Sequence, residues 1–131
     1  MKANELMLGD WVYVPHNGCA SHNGKVKALY ESETVSTELE GAGCLCRAES
    51  LQPIPLTPEI LEKNGFTKSE RYEVWRIIRD DYELRVTPWR VAVIFLEDGA
   101  DKEEYSTPRP KGVHELQHFL KLVKLEKDIT L

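Results

Sequence analysis

Residues 82–97 read YELRVTPWRVAVIFLE, and this stretch decides the fold class of the chain. In its first half, Tyr82, Leu84 and Val86 alternate with polar residues, which is the pattern of a strand with one buried face. In its second half, residues 91–96 are apolar at every position, and a strand that is apolar on both faces is covered on both. The stretch therefore predicts two neighbouring strands of a sheet that packs against another layer.

A third strand is predicted immediately before these two. Residues 74–78, VWRII, carry apolar side chains on both faces, and Asp80-Asp81 is typical of a hairpin turn. Short strands that follow one another with tight turns pair as antiparallel neighbours. Residues 71–97 are therefore predicted to form a three-strand antiparallel meander.

The region after the meander is predicted to contain one helix and little other regular structure. Residues 98–111 read DGADKEEYSTPRPK, so we expect an acidic loop followed by a proline-broken one. A helix is predicted from Val113 to about Leu125, with an apolar stripe that includes Leu116 and Leu120. The tail, residues 128–131, is a candidate edge strand.

A short helix with clear boundaries precedes the meander. Thr57 is the expected N-cap, Pro58 the first helical residue and Gly65 the residue that ends the helix. Residues 51–56, LQPIPL, lead into it. Their two prolines lack N–H groups, which excludes an interior strand and predicts an extended connector.

The first fifty residues predict four short strands, at residues 8–14, 25–30, 34–39 and 44–48. The opening, LGDWVYV…GKVKALY, is similar to the start of an SH3-like barrel, which is a structural analogy and implies no function. The predicted class is α+β. A bent SH3-like antiparallel sheet with the connector occupies residues 1–56. A subdomain of short helix, three-strand meander and packed C-terminal helix occupies residues 57–131, and one core shared by both parts is the alternative.

The composition is that of an ordinary soluble domain, with 41% hydrophobic and 30% charged residues in a chain of 131. The net charge of −5 argues against a general nucleic-acid coat, although it leaves room for a local basic face. Three cysteines, in a chain long enough to fold without covalent links, predict reduced thiols. Since no apolar run approaches about 20 residues, we expect no membrane span and a cytoplasmic location.

Three stretches of the chain resemble a known group of proteins. MKANELMLGDWVYV, PIPLTPEILEKNGF and VHELQHFLKLVKLEKDITL occur in this order and cover over a third of the chain. They resemble a family of uncharacterised small proteins that are encoded by anaerobic gut bacteria and by their phages and mobile elements. The resemblance implies an association with phages or mobile elements, and it implies no activity, cofactor or catalytic residue.

Residues 114–118, HELQH, match the H-E-x-x-H pattern of zinc metalloproteases. The spacing puts His114 and His118 on one helical face, as a zinc site requires. That face lies nearly opposite the apolar stripe, and lysines stand where the extended motif has glycine and a third histidine. We therefore predict a solvated helix face and keep a zinc enzyme through His114, Glu115 and His118 as an alternative.

A second set of candidate zinc ligands lies in the N-terminal half: His16, Cys19, His22, Cys44 and Cys46. Zinc prefers nitrogen and sulfur ligands, but this spacing is not that of a zinc finger. The alternation of Cys44 and Cys46 in a predicted strand favours a small buried pair in the core. No cofactor is therefore predicted, and a structural zinc is the alternative.

Arginine and tryptophan concentrate in the meander, at Trp75, Arg76, Arg85, Trp89 and Arg90. Together on a sheet, such residues bind nucleic-acid single strands by stacking and by phosphate contacts. Acidic residues interleave with them, so cross-strand ion pairs on a wet face are the alternative.

The sequence contains no nucleophile elbow, phosphate-binding loop or dinucleotide fingerprint, so no catalytic residue is predicted. We expect a non-enzymatic interaction or accessory protein in the cytoplasm, linked to phages or mobile elements, with a protein partner still to be identified. The alternatives are a nucleic-acid-binding module that uses the Arg/Trp face and a zinc metalloprotein through HELQH. A homodimer is left open.

Overall fold

A computed structural model describes residues 1–15, 21–97, 100–125 and 127–131. These residues form two antiparallel sheets and two α-helices, so the class is α+β, as the sequence predicts. The chain divides into two compact units. The first contains residues 1–55 and 112–118, and the second contains residues 56–111 and 119–131.

The first unit is built on a four-stranded antiparallel meander in which each strand pairs with the next. Its strands are β1 (Trp11–Val14), β2 (His22–Leu29), β3 (Thr34–Leu39) and β4 (Ala42–Arg47). They confirm the four predicted strands, with ends shifted by a few residues. Glu40 and Gly41 both have positive φ, 50° and 83°, which is the backbone that a two-residue hairpin turn requires between β3 and β4.

The core of the first unit is formed by residues that alternate along these strands. The buried set is Leu6, Val12, Val14, Val26, Val35, Cys44, Cys46, Ala48 and Leu51. Cys44 and Cys46 therefore form the buried pair that their alternation predicts. The connector that follows is extended, and Gln52 exchanges two backbone hydrogen bonds with Tyr13, of 2.9 and 3.0 Å.

The second unit contains a five-stranded antiparallel sheet rather than the three strands predicted for it. Its strands are β5 (Thr67–Lys68), β6 (Trp75–Ile78), β7 (Tyr82–Val86), β8 (Arg90–Glu97) and β9 (Ala100–Pro108). The central three are the predicted meander, joined by the hairpin at Asp80-Asp81. Strand β5 is too short to carry a periodic pattern, so the sequence gives no sign of it.

Residues 100–108 form the edge strand β9, so the prediction of a loop over this part of the chain is wrong. Tyr105 lies opposite Val93 of β8, and Thr107 lies opposite Val91. Charged residues are typical of exposed edge strands because they hinder pairing with further chains. Strand β9 pairs with β8 through its backbone, so its acidic composition does not reveal it as a strand. Residues 98 and 99 lie outside the described part.

The first α-helix, α1 (Pro58–Lys63), has the boundaries that the sequence predicts. The Oγ1 of Thr57 accepts a hydrogen bond of 3.3 Å from the backbone N–H of Ile60, so Thr57 is the N-cap. Gly65 adopts a φ of 89°, and the N–H of the buried Phe66 donates to the carbonyl of Leu61. This left-handed ending is the one that glycine favours.

The C-terminal tail forms no strand, so the candidate edge strand of residues 128–131 is wrong. Asn64, the residue after α1, binds this tail through its side-chain amide. Its Nδ2 donates to the carbonyl of Thr130 at 2.7 Å, and its Oδ1 accepts from the Thr130 N–H at 2.7 Å. The amide thus replaces the backbone partner that a neighbouring strand would supply.

The second α-helix, α2 (Val113–Leu122), ends earlier than predicted. Lys124 has a φ of 59°, and the N–H of Leu125 donates to the carbonyl of Leu120 at 2.9 Å. This hydrogen bond closes the helix in the way that a C-terminal glycine usually does, although lysine occupies the position. A lysine in the left-handed region is uncommon, which explains why the sequence does not reveal the end.

Candidate functional site

Three arginines lie on one face of the five-stranded sheet. Arg76 of β6 is directly opposite Arg85 of β7, and Arg85 is opposite Ala92 of β8. Arg90 precedes Ala92 by two positions in the same strand, so its side chain points to the same face. The cavity among these residues, which we call the arginine groove, has a volume of about 210 Å³ and is lined by Val74, Arg76, Arg85, Thr87, Arg90 and Ala92.

Glu83 holds two of the three guanidinium groups. Its carboxylate accepts hydrogen bonds from Arg85 Nε at 3.1 Å and Nη2 at 3.0 Å, which is the bidentate geometry of a strong pair. Nη1 of Arg76 lies 3.7 Å from the Oε1 of the same carboxylate. One carboxylate therefore faces two guanidinium groups in this part of the groove.

The third arginine is held more loosely. Nη2 of Arg90 lies 3.4 Å from Oε1 of Glu104, and both side chains are about half exposed. Exposed ion pairs of this kind contribute about 0–1 kcal/mol, so an incoming anion can displace Glu104 at little cost.

Trp89 occupies the turn beside the groove. It is 80% exposed, and its side chain is the most exposed of the described aromatic residues. Thr87 shapes this turn because its Oγ1 accepts from the N–H of Trp89 at 3.3 Å and from that of Arg90 at 3.0 Å. Thr87 is a positioning residue that the sequence analysis missed, although threonine before proline in a tight turn is a usual signal for such a role.

The structure brings together only part of the predicted Arg/Trp set. The three arginines line one groove, and Trp89 is in the adjoining turn. Trp75 is different because it is adjacent to Arg76 in the same strand, and successive side chains of a strand point to opposite faces. Trp75 is half-buried and lines a separate cavity.

His114 is buried and His118 is half-buried, so the prediction of a solvated helix face is wrong for His114 and holds only in part for His118. His114 is 5% exposed, and His118 is half-buried with its Nε2 2.7 Å from Oδ2 of Asp10. Beside them, the Gln117 amide donates to the carbonyl of Gly9 at 3.0 Å and accepts from the N–H of Trp11 at 2.8 Å. A helical wheel shows which residues share a face, but it cannot show that a second face is also covered.

Asp10 is the central residue of this cluster, and the sequence analysis missed it. Its side chain is fully buried, and its Oδ2 also accepts from the N–H of Met7 at 2.8 Å. Within the described part of the chain, Asp10 Oδ1 and His114 Nδ1 have no hydrogen-bond partner. The imidazole rings of His114 and His118 meet edge to face, with centroids 5.7 Å apart. Asp10 follows a glycine just before a strand, which reads in sequence as an ordinary turn.

Neither of the two zinc alternatives has an assembled metal site in the ranges that the structure covers. Among those residues, no group of three or more His, Cys, Asp or Glu side chains could hold a metal ion. His16 and Cys19 lie outside the described residues, and His22 is half-buried in β2. Cys46 is a free thiol, and burial raises its pKa. A thiol with a raised pKa is unreactive. Cys44 is disulfide-bonded, so the prediction of reduced thiols is wrong for this residue.

The burial of His114 makes the stability of the fold depend on pH. Burial lowers the pKa of His114, with His118 acting in the same direction, while Asp10, Glu115 and Glu5 oppose the change. The imidazole is therefore neutral in the folded chain at a pH where the unfolded chain already binds a proton. The contribution of the neutral His114 to stability is therefore fully present above the pKa that this histidine has in the unfolded chain. It is lost as the pH falls through that value.

We expect the urea midpoint of unfolding to be lower at about pH 5.5 than at about pH 7.5, on either side of the unfolded histidine pKa of about 6.5. His114→Gln should flatten this dependence because the residue that protonates on unfolding is gone. His22→Gln is the matched control and should keep it. A wild-type midpoint that does not change over this interval, or one that changes equally in His114→Gln, would contradict the role of His114.

Comparison with known proteins gives no match: no family model, no curated protein and no solved structure is similar to this chain. Across the residues that the structure places, no helix is long and apolar enough to cross a membrane. A function for the chain therefore rests on the geometry of the arginine groove and of the histidine cluster.

Proposed function

We propose that the chain is a non-enzymatic binding module whose arginine groove holds the backbone of a single-stranded nucleic acid. The observation that carries this proposal is the convergence of Arg76, Arg85 and Arg90 on one cavity. A guanidinium group is planar and always charged, and it binds phosphate oxygens in a bidentate way. Three such groups on neighbouring strands match a phosphodiester backbone better than they match a neutral ligand.

The existing ion pairs prepare the groove for this role. The bidentate contact with Glu83 fixes the guanidinium plane of Arg85, so less side-chain freedom is lost when a phosphate binds. Two guanidinium groups share that carboxylate, and guanidinium groups attract the phosphate oxygens of an anion. Arg90 is free to exchange the half-exposed Glu104 for a phosphate.

Trp89 favours a single strand over a duplex. Its ring stands exposed in the turn directly before Arg90. An unpaired base can stack on such a ring, and this contact contributes about 1–3 kcal/mol per base with little dependence on sequence. The bases of a duplex are stacked on each other and cannot take this position. The net charge of −5 for the whole chain also disfavours broad contact with duplex DNA.

The wider setting is proposed on the resemblance of the three stretches. We place the module in the cytoplasm, in association with phages or mobile elements. An acidic segment of a protein partner carries negative charge too, so it is the main competing occupant of the groove. A nucleic acid differs from that competitor in two ways: its bases can stack on Trp89, and its phosphates release counterions when they bind.

The test is a titration of a fluorescein-labelled oligothymidylate, followed by fluorescence anisotropy at several salt concentrations. We expect binding in the micromolar range at low salt. The plot of log Kobs against log salt should have a slope of about −2, because three phosphate contacts release about 0.7 counterion each. The matching duplex and a polyglutamate peptide are the comparison ligands, and both should bind more weakly. Absence of binding at low salt, or tighter binding of polyglutamate, would reject the nucleic-acid proposal.

A further inference from the structure

A second cavity in the second unit has the size and chemistry of a small-molecule site. It lies beside the start of α1, between β5, β6 and the turn that joins β7 to β8. Its volume of about 500 Å³ falls within the 300–1,000 Å³ or so that is usual for ligand sites. We call it the Trp75 pocket. Trp75 and Arg76 are neighbours in one strand, so the pocket and the arginine groove use opposite faces of the sheet.

One part of the Trp75 pocket is apolar. Trp75, Leu61, Pro58 and Pro88 line it, and Trp75 is half-buried. A large flat ring flanked by prolines offers a surface on which another flat, apolar group can pack. The remaining lining residues are charged: Lys68, Glu73 and Arg109.

Arg109 is the fixed charge of this pocket. Its Nη1 donates to the carbonyl of Thr87 at 2.7 Å, and its Nη2 donates to the carbonyl of Leu56 at 3.3 Å. These carbonyls orient the half-buried guanidinium group but do not neutralise it. Within the described ranges, no carboxylate lies at ion-pair distance from Arg109. A partly buried cation without a counter-charge is unfavourable unless an anion joins it.

Lys68 adds to the positive charge at this place. It lies in β5 and is also without an ion-pair partner in the part of the chain that the structure describes. Lys68 and Arg109 together outweigh Glu73, so the lining has a net charge of +1. The combination of a positive charge and an apolar aromatic wall selects a ligand that carries both a negative group and a flat apolar body.

We infer that the Trp75 pocket binds a small organic acid, with its carboxylate on Arg109 and its flat apolar body against Trp75. This inference is independent of the arginine groove, and either site can exist without the other. A mononucleotide also combines an anion with a flat ring, and tighter binding of a mononucleotide would instead make the pocket a nucleotide site. The test therefore contains both ligands.

The probe is 2-naphthoate, and the measurement is the NMR signal of the Trp75 indole N–H, assigned with Trp75→Phe. We expect a saturable shift with 2-naphthoate. The neutral alcohol 2-naphthalenemethanol should bind at least about tenfold more weakly, because it lacks the charge-assisted contact with the guanidinium group. Adenosine monophosphate should bind more weakly than 2-naphthoate, since its ribose separates the phosphate from the ring.

Two variants test the charges. Lys68→Gln changes an exposed residue, so the fold should be retained while the affinity for 2-naphthoate falls about threefold, the effect of an exposed charge. Arg109→Lys keeps the charge but loses the planar contact, and the affinity should fall about tenfold. The inference is overturned if the Trp75 signal does not move at millimolar 2-naphthoate, if the neutral alcohol binds equally well, if adenosine monophosphate binds more tightly, or if both variants bind like the wild type.

Discussion

Asp10→Ala is expected to lower the free energy of unfolding by about 3 kcal/mol, because it removes a buried hydrogen-bond acceptor and opens a cavity. The carboxylate is fully buried and serves two donors, the N–H of Met7 and the Nε2 of His118. Alanine leaves both groups without their partner in a site that has little access to water, and it also leaves a small cavity. Urea unfolding followed by circular dichroism measures the change.

The matched control is Asp128→Ala, which removes an exposed aspartate from the tail and should change stability by less than about 0.5 kcal/mol. A double-mutant cycle with His118→Ala isolates the contact between the two side chains. Residues in direct contact usually couple by about 0.5–3 kcal/mol, and we expect about 1 kcal/mol or more here. If Asp10→Ala behaves like the control, or if the two substitutions are additive, the cluster does not stabilise the fold.

Replacing Arg76, Arg85 and Arg90 together with glutamine is expected to weaken oligothymidylate binding by about 100-fold or more, which corresponds to about 2.7 kcal/mol. Each arginine supplies one charge-assisted phosphate contact, and glutamine keeps much of the side-chain volume without the charge. The salt dependence should nearly disappear as well, since the counterion release comes from the same contacts. Anisotropy measures both quantities, and the thermal unfolding midpoint verifies that the variant is folded.

Two single variants sharpen this prediction. Arg47→Gln removes an exposed arginine of β4 that pairs with Glu49 outside the groove, so it should leave the affinity unchanged. Glu83→Gln removes the negative charge beside Arg76 and Arg85, and this gain should exceed the loss of the contact that orients Arg85, so the affinity should rise several-fold even though the two arginines then repel each other. The groove is not the binding site if Arg47→Gln weakens binding as much as the triple variant, or if Glu83→Gln weakens it.

Strand alternation predicts much of the second unit correctly. The patterns at Tyr82–Val86 and Arg90–Glu97 place β7 and β8 because each strand buries a large apolar face, and burial is what makes such a pattern regular. The same rule separates Trp75 from Arg76, since neighbours in a strand cannot share a face. The predicted Arg/Trp surface was therefore too broad, and the sequence already contained the reason.

Strand β9 and the C-terminal tail are two features that side-chain patterns in the sequence do not predict. The edge strand owes its place to backbone pairing with β8, and backbone pairing leaves no signature in side-chain composition. The tail is held by contacts between residues far apart in sequence, such as the two hydrogen bonds between the Asn64 amide and Thr130. Such contacts depend on the assembled fold, so local rules do not reveal them.

The histidine cluster was missed for a different reason. The spacing of His114 and His118 correctly puts them on one face, and their rings do meet. What the sequence cannot supply is the partner, because Asp10 is more than a hundred residues away along the chain. A polar helix face looks the same in sequence whether water or a buried carboxylate lies opposite it.

The most direct test of the arginine groove is an NMR titration of the protein with oligothymidylate at low salt, read at the arginine Nε–Hε signals. We expect the signals of Arg76, Arg85 and Arg90 to shift together and saturate together, and to return to their free positions when salt is added. Arginines outside the groove, such as Arg47, should stay unchanged. Oligothymidylate that binds while the three groove signals stay in place would contradict the proposed function.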